Sequence, residues 1–219
     1  MAIHFAGGTD KVAYGGSGYL GHVLGCIAFW MRTTQATANA VPISIWNSSS
    51  RNGFGFLLNN TANKLTVQCY NTTGTPSINM TGTATMNGGG WKHVALNWNQ
   101  NNGGTNTCYV DGVSDSTANS SPAWAFDNSL GVPPTFGRNP DAFWASYVGD
   151  IAEYGLWFDR NLDAAEITAL AKGFPPSCVA RDKLIHYVPF VGTVNMLQSS
   201  FVTGPTGTSF TDHARVFGT

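Results

Sequence analysis

Charge is scarce in this chain. Lys, Arg, Asp and Glu make up 11% of its 219 residues, less than half the share of about 25% usual for globular proteins. The formal net charge is −1 and the 11 Lys and Arg are scattered without a basic run. Phosphate recognition needs a clustered basic surface, so a nucleic-acid partner is excluded. Long apolar runs are also lacking. None reaches the roughly 18 residues of a membrane span, which removes the membrane as a partner. The start, Met1-Ala2-Ile3-His4-Phe5-Ala6-Gly7-Gly8, has no basic region, apolar stretch or cleavage site, and no signal peptide is expected. Glutamate occurs only twice, as Glu153 and Glu166. The four cysteines, Cys26, Cys69, Cys108 and Cys178, are widely spaced, with no C-x-x-C and no paired His. That spacing fits neither a zinc site nor a disulfide framework, and free thiols are expected. No period of 20–50 residues marks a repeat array.

What is present is apolar and aromatic. Hydrophobic residues make up 42%, with 7 Trp, 7 Tyr and 13 Phe, too many for a disordered chain. Turn signals such as Gly7-Gly8, Asn52-Gly53, Gly88-Gly89-Gly90 and Asp111-Gly112 recur between short β-branched and aromatic runs. This pattern predicts an all-β protein, an antiparallel jelly-roll β-sandwich. Strands are expected near 2–6, 11–14, 24–32, 42–47, 53–58, 64–70, 77–81, 91–98, 106–110, 134–138, 147–158 and 183–189. Lys64 to Tyr70 alternates with Leu65, Val67 and Cys69 on one face. In Trp91 to Trp98, His93, Ala95 and Asn97 oppose Val94, Leu96 and Trp98. One short helix is expected over about 163–172. Asp163 and Glu166 form a capping box, Leu162 can staple onto Ile167, and Gly173 supplies the stop. The chain therefore divides into a sandwich, 1–173, and a C-terminal extension, 174–219. The extension has too little apolar material for its own core and is expected to pack on the sandwich or on neighbouring subunits.

The run Trp91-Lys92-His93-Val94-Ala95-Leu96-Asn97-Trp98, followed by Cys108-Tyr109-Val110-Asp111-Gly112, resembles the central hairpin of laminin-G-like jelly rolls. These belong to the concanavalin A-like lectin and glucanase superfamily. Gly149 to Leu162 resembles their closing strand and the lead into their terminal helix. Phe5-Ala6-Gly7-Gly8 and Ile27-Ala28-Phe29-Trp30-Met31 resemble their first strands. Asp182 to Phe190 and Thr211 to Val216 are similar to the tails of laminin-G-like virion proteins of tailed bacteriophages. That likeness implies a non-enzymatic structural protein of a phage particle, a capsid decoration, cement or fibre-associated subunit. Its partners would be other virion proteins such as the major capsid protein, further copies of itself and cell-surface glycans. It would be made in the host cytoplasm and located in the virion. The alternative is a soluble carbohydrate-binding, lectin-like module.

Glucanases of that superfamily carry Glu-x-Asp-x-x-Glu on a strand. Here Val148-Gly149-Asp150-Ile151-Ala152-Glu153 keeps the last two acids but has valine in the place of the nucleophile. A retaining glycosidase needs two carboxyls about 5–5.5 Å apart, so no catalytic residue is expected, and Asp150 and Glu153 read as hydrogen-bonding groups at a strand end. The residues themselves call for no cofactor. Many relatives bind calcium at the sandwich rim, and Asp127, Asn139 and Asp141 are the candidate ligands, because they lie in adjacent late loops. Asp111 reads as a turn former. Sugar binding would use exposed aromatic faces beside hydrogen-bonding groups. Trp124, Phe126, Phe143, Trp144 and Tyr147 are the candidates, and the weightier alternative places these rings in the core or at a subunit contact.

Overall fold

The computed structural model describes residues 2–14, 22–47, 52–58, 60–71, 76–121, 134–138, 144–190, 202–206 and 209–211. Among the described residues, two stacked sheets, antiparallel except for one short parallel pair in the second, form a jelly-roll-like β-sandwich with one short α-helix. Sheet A has eight strands. Its centre is β3 (Leu24–Arg32), flanked by β9 (Lys92–Asn99) and the ten-residue β14 (Gly149–Phe158). Beyond β9 come β10 (Thr105–Val110) and β11 (Val113–Asn119). Along the other side of β14 run β1 (Ala2–Phe5), with β17 (Ser209–Thr211) beyond it, and β15 (Leu184–Val188).

Sheet B has nine strands. At its centre β5 (Ile43–Asn47) pairs with β6 (Asn52–Leu58), which pairs with β7 (Leu65–Tyr70) and through it with β8 (Pro76–Thr81). Short strands complete it. These are β4 (Ala40–Val41), β12 (Thr135–Phe136), β13 (Ala145–Ser146), β2 (Lys11–Tyr14) and β16 (Val202–Thr206).

Period-two alternation builds the core. Ile27, Phe29 and Met31 of β3 and Val94, Leu96 and Trp98 of β9 face inward to meet Phe54, Phe56 and Val67 of sheet B. Phe29 and Phe56 pack edge to face with centroids 5.1 Å apart. The opposite parity of sheet A carries Cys26, Ala28, Ala95 and Trp157, covered by Leu162, Ile167, Leu170 and Val179. The helix α1 (Ala164–Ala171) thus lies on the outer face of that sheet. Asp163 caps it, accepting from the Glu166 N–H while the Glu166 side chain accepts from the Asp163 N–H. The Asn97 amide clamps the helix entry, donating to the Leu162 carbonyl at 2.8 Å and accepting from its N–H at 3.1 Å. Asp111 and Gly112 have φ of +51° and +82°, the left-handed pair that a tight hairpin between β10 and β11 requires.

The segment after Gly173 contributes to both sheets. β15 lies along β14, while Val188 and Phe190 are fully buried in the main core. β16 pairs with β2, and β17 pairs with β1. All four cysteines are free thiols, three of them buried.

Candidate functional site

The helix covers only one half of the outer face of sheet A. On the other half, the same parity of β3 presents Trp30 and Arg32, and β9 presents His93. The strand register sets Arg32 opposite Asp150, Asp150 opposite His4, and His4 opposite Ser209. A polar row therefore crosses four strands. At its centre Asp150 Oδ2 accepts from Arg32 Nε at 2.7 Å and lies 2.7 Å from Nη2, while Oδ1 lies 2.8 Å from His4 Nδ1. The Tyr147 hydroxyl fixes this crossing from below, reaching the Arg32 and Asp150 carbonyls at 2.9 and 3.1 Å.

Aromatic rings flank the row. The Arg32 guanidinium lies 5.0 Å from the centroid of Trp91, a cation–π contact. Trp30 packs edge-on against His93, with ring centroids 5.4 Å apart. Both indoles are partly exposed, whereas His93 is buried. Burial lowers the His93 pKa to about 4, against a smaller opposing pull from Asp111. Its imidazole is therefore neutral at pH 7. Two partly exposed indoles thus stand beside hydrogen-bonding groups held at fixed spacing.

The row reads Ser209, His4, Asp150, the composition of a hydrolase triad, but it lacks the means for that chemistry. Asp150 is already shared with a guanidinium through two bonds. The strand N–H groups of the row pair with neighbouring strands, so they do not converge on an oxyanion. Among the described residues, the two acids of the partial glucanase motif form no glycosidase pair. Val148 stands where a nucleophile would be, and the buried Glu153 accepts from the Tyr187 hydroxyl at 2.5 Å. Among the described residues, no three His, Cys, Asp or Glu side chains come together as a metal site.

The candidates named from the sequence fall elsewhere. Tyr147 is wholly buried in the main core, so its ring presents no face to a sugar. Trp144 is 5% exposed and packs with Trp46, Tyr70, Val41 and Leu57 on the outer side of sheet B. Its ring lies on Gly55, where an added Cβ would come within 2.5 Å of Cζ3. Trp124, Phe126, Phe143, Asp127, Asn139 and Asp141 lie outside the described residues. Asp111 is a turn residue and also accepts from Lys92 at 2.6 Å. Sequence reasoning missed Trp30, Arg32, Trp91 and His4 as a group. The outward parity of Trp30 and Arg32 was a usable signal, but the approach of β1 and β14 to β3 was not in the pattern.

The family model Laminin_G_3, of the concanavalin A-like lectin/glucanases superfamily, matches residues 6–168. No curated protein matches the chain by sequence. Among solved structures, a heptameric SAP-like pentraxin from Limulus polyphemus is similar with a TM-score of 0.68 and 14% identity, over 95% of this chain and 93% of that one. A candidate carbohydrate-binding protein from Bacteroides ovatus gives a TM-score of 0.69 at 13% identity, over 100% of this chain and 62% of that one. Domain 4 of an extracellular arabinanase from Geobacillus stearothermophilus, solved with arabinotriose, gives 0.58 at 16% identity, over 78% and 76%. At these identities the likeness shows the fold.

These neighbours correct the expectation of a phage-particle subunit bound to a major capsid protein. None of the proteins named is a virion component. Of the residues that carried the likeness to phage tails, Leu184–Val188 builds β15 against β14 and Thr211 closes β17 against β1, and 212–216 lie outside the described residues.

Proposed function

Because the chain belongs to the Laminin_G_3 family of the concanavalin A-like lectin/glucanases superfamily, we propose that it is a lectin-like carbohydrate-binding module. The observation that carries this reading is the half of the outer face of sheet A beyond the helix, where the partly exposed Trp30 and Trp91 flank the hydrogen-bonded row of Arg32, Asp150 and His4. A sugar presents an apolar C–H face and a rim of hydroxyls. Indole faces beside fixed donors and acceptors match both. The pentraxin, the Bacteroides protein and the arabinotriose-bound domain support the reading by sharing the fold. Trp124, Phe126 and Phe143 belong to the same proposal as further stacking residues. Asp127, Asn139 and Asp141 belong to it as calcium ligands at the rim. Homo-oligomerisation would raise avidity for a repeated glycan, and light scattering would measure it.

The test is a panel of immobilised neutral and acidic glycans probed with the full chain, with and without a chelator. Binding to at least one class above a denatured-protein control is expected. Binding to none would overturn the proposal, and loss on chelation would assign a calcium contribution.

A further inference from the structure

Asparagine followed by glycine is prone to a reaction that needs no enzyme. The glycine nitrogen attacks the side-chain amide carbon, ammonia leaves with the displaced proton, and a succinimide ring closes. Water then opens the ring at either carbonyl. The product is aspartate, or an isoaspartate whose main chain runs through the side-chain carbon. Water is the one co-reactant, and nothing is oxidised or reduced. Glycine favours the step because no Cβ obstructs its nitrogen and its backbone is free to reach the angles of closure. The chain has three such pairs, Asn52-Gly53, Asn87-Gly88 and Asn102-Gly103, and the fold treats them differently.

Asn52 is 3% exposed within β6, and Gly53 is paired with both neighbouring strands, opposite Trp46 and Tyr70. Neither water nor backbone freedom is on hand there. Asn102 is exposed, but its turn is closed by two backbone bonds. The Gly103 N–H donates to the Ser120 carbonyl at 2.9 Å, and the Gly104 N–H to the Asn101 carbonyl at 2.8 Å. The attacking nitrogen is thus already engaged as a donor. Gly88 differs from both. Among the described residues its N–H has no hydrogen-bond acceptor. It is exposed, and the space where a Cβ would stand is open. The residues on either side are anchored. The Met86 N–H donates to the Asn63 carbonyl at 2.9 Å, with the Met86 side chain in the main core, and the Gly89 N–H donates to the Thr33 carbonyl at 3.0 Å. Residues 87 and 88 therefore form a short arc between two fixed points. One restraint opposes the reaction: Asn87 Nδ2 donates to Asn63 Oδ1 at 2.7 Å, in an exposed position. A single side-chain bond must open here, against two backbone bonds at Asn102.

We infer that Asn87 is a deamidation site of the folded protein, converting ahead of Asn102 and Asn52. With one bond fewer to open, its lead over Asn102 is about fivefold. The product disturbs the fold locally. A carboxylate at 87 adds a negative charge to a chain whose formal net charge is −1. It cannot donate to Asn63 Oδ1, so two acceptors face each other where a hydrogen bond stood, and the arc loses its tie to the turn before β7. Isoaspartate also adds one atom to the main chain between the Met86 and Gly89 anchors. The site is independent of what the protein binds.

The experiment is peptide mapping by mass spectrometry of the full chain, incubated in mildly alkaline native buffer and in parallel in concentrated urea. In urea the three pairs lose their structure and should convert at similar rates. In native buffer Asn87 should convert about fivefold faster than Asn102, and Asn52 should stay intact. Gly88→Ala fits the open space and needs no left-handed backbone. It should suppress conversion at 87 while leaving the Tm and the rate at 102 unchanged. Asn87→Asp, which writes the product into the sequence, should lower the Tm. Native conversion led by Asn102 or Asn52 would overturn the inference. So would an intact Asn87 in native buffer once the urea sample has converted fully, or a Gly88→Ala variant that reacts at 87 as fast as the parent. An unchanged Tm in Asn87→Asp would overturn the local disturbance assigned to the product.

Discussion

His93 carries its cost silently. Its ring is buried against Trp30 on the outer face of β9, and burial lowers its pKa to about 4 from the ordinary 6.5. His186, also buried, is lowered in the same direction to about 4. The unfolded chain takes up protons on these rings below about pH 6.5, while the fold resists until about pH 4. Stability is therefore full above pH 6.5 and is lost as pH falls through that window. For His93 alone the loss approaches about 3 kcal/mol. Urea unfolding at pH 7 and at pH 4.5 measures it, and His93→Gln should flatten the dependence. The alternation of Trp91 to Trp98 placed His93 on the non-core face, where exposure is the natural expectation. That the face would itself be covered was not legible, because the cover comes from side chains distant in sequence. Asp150 and Glu153 were legible as hydrogen-bonding groups, although Glu153 lies within β14 at its bulge and not at a strand end, and their partners His4, Arg32 and Tyr187 were not legible.

At the scale of elements, α1 was the most legible. Its cap, staple and stop are local chemistry, and Asp163, Glu166, Leu162 and Ile167 take the places that chemistry assigns. Asp163→Ala removes a side-chain acceptor for the Glu166 N–H and should destabilise the protein by about 1 kcal/mol, read from the shift in denaturation midpoint at unchanged m. Glycan binding should not change, because α1 lies on the other half of the face. The long strands were legible by alternation. The strands that were not are those without it. β11, with the sequence Val-Ser-Asp-Ser-Thr-Ala-Asn, has no apolar face, since it is an edge strand tied down through Asp115. Asp115 Oδ1 accepts from the Thr83 and Ala84 N–H groups at 2.9 Å each, joining it to the loop after β8. β4 and β13 have two residues each, too few for any period, whereas β12, equally short, falls within the strand expected near 134–138. β14 hides a bulge: Glu153 takes a φ of +51° and the register with β3 shifts between Ala152 and Gly155.

At the scale of the whole molecule, a boundary at residue 173 matches the change in composition more than the distribution of contacts. Val188 and Phe190, both fully buried, belong to the main core. Burial of side chains of this size is worth about 1.5–3 kcal/mol each, against a total stability of about 5–15 kcal/mol. Truncation after Gly173 should therefore give no cooperative thermal transition. Truncation after Phe190 should give one at lower temperature, because β1 and β2 lose β17 and β16 while the core keeps its side chains. The free thiols report the same cooperativity. Burial raises the pKa values of Cys26, Cys69 and Cys108 well above the ordinary range. Their labelling requires opening of the sandwich. A thiol reagent should find Cys178 at once in the native protein and the other three only at the global unfolding rate. Rapid reaction of two or more thiols in native buffer would show a looser core than the packing implies.

The placing of β1 between β14 and β17 bears on how this protein is made. Ala2–Phe5 is synthesised well before its neighbours, 149–151 and 209–211. At about 5–20 residues per second, the strand waits on the order of ten to forty seconds for its far partner. Until 149–151 has been made, Ile3 and Phe5, both fully buried in the finished core, lack both neighbouring strands. The nascent chain must carry an incompletely paired apolar strand until residue 211 has been made, which makes it a natural client for holding chaperones and sensitive to anything that slows elongation between the two.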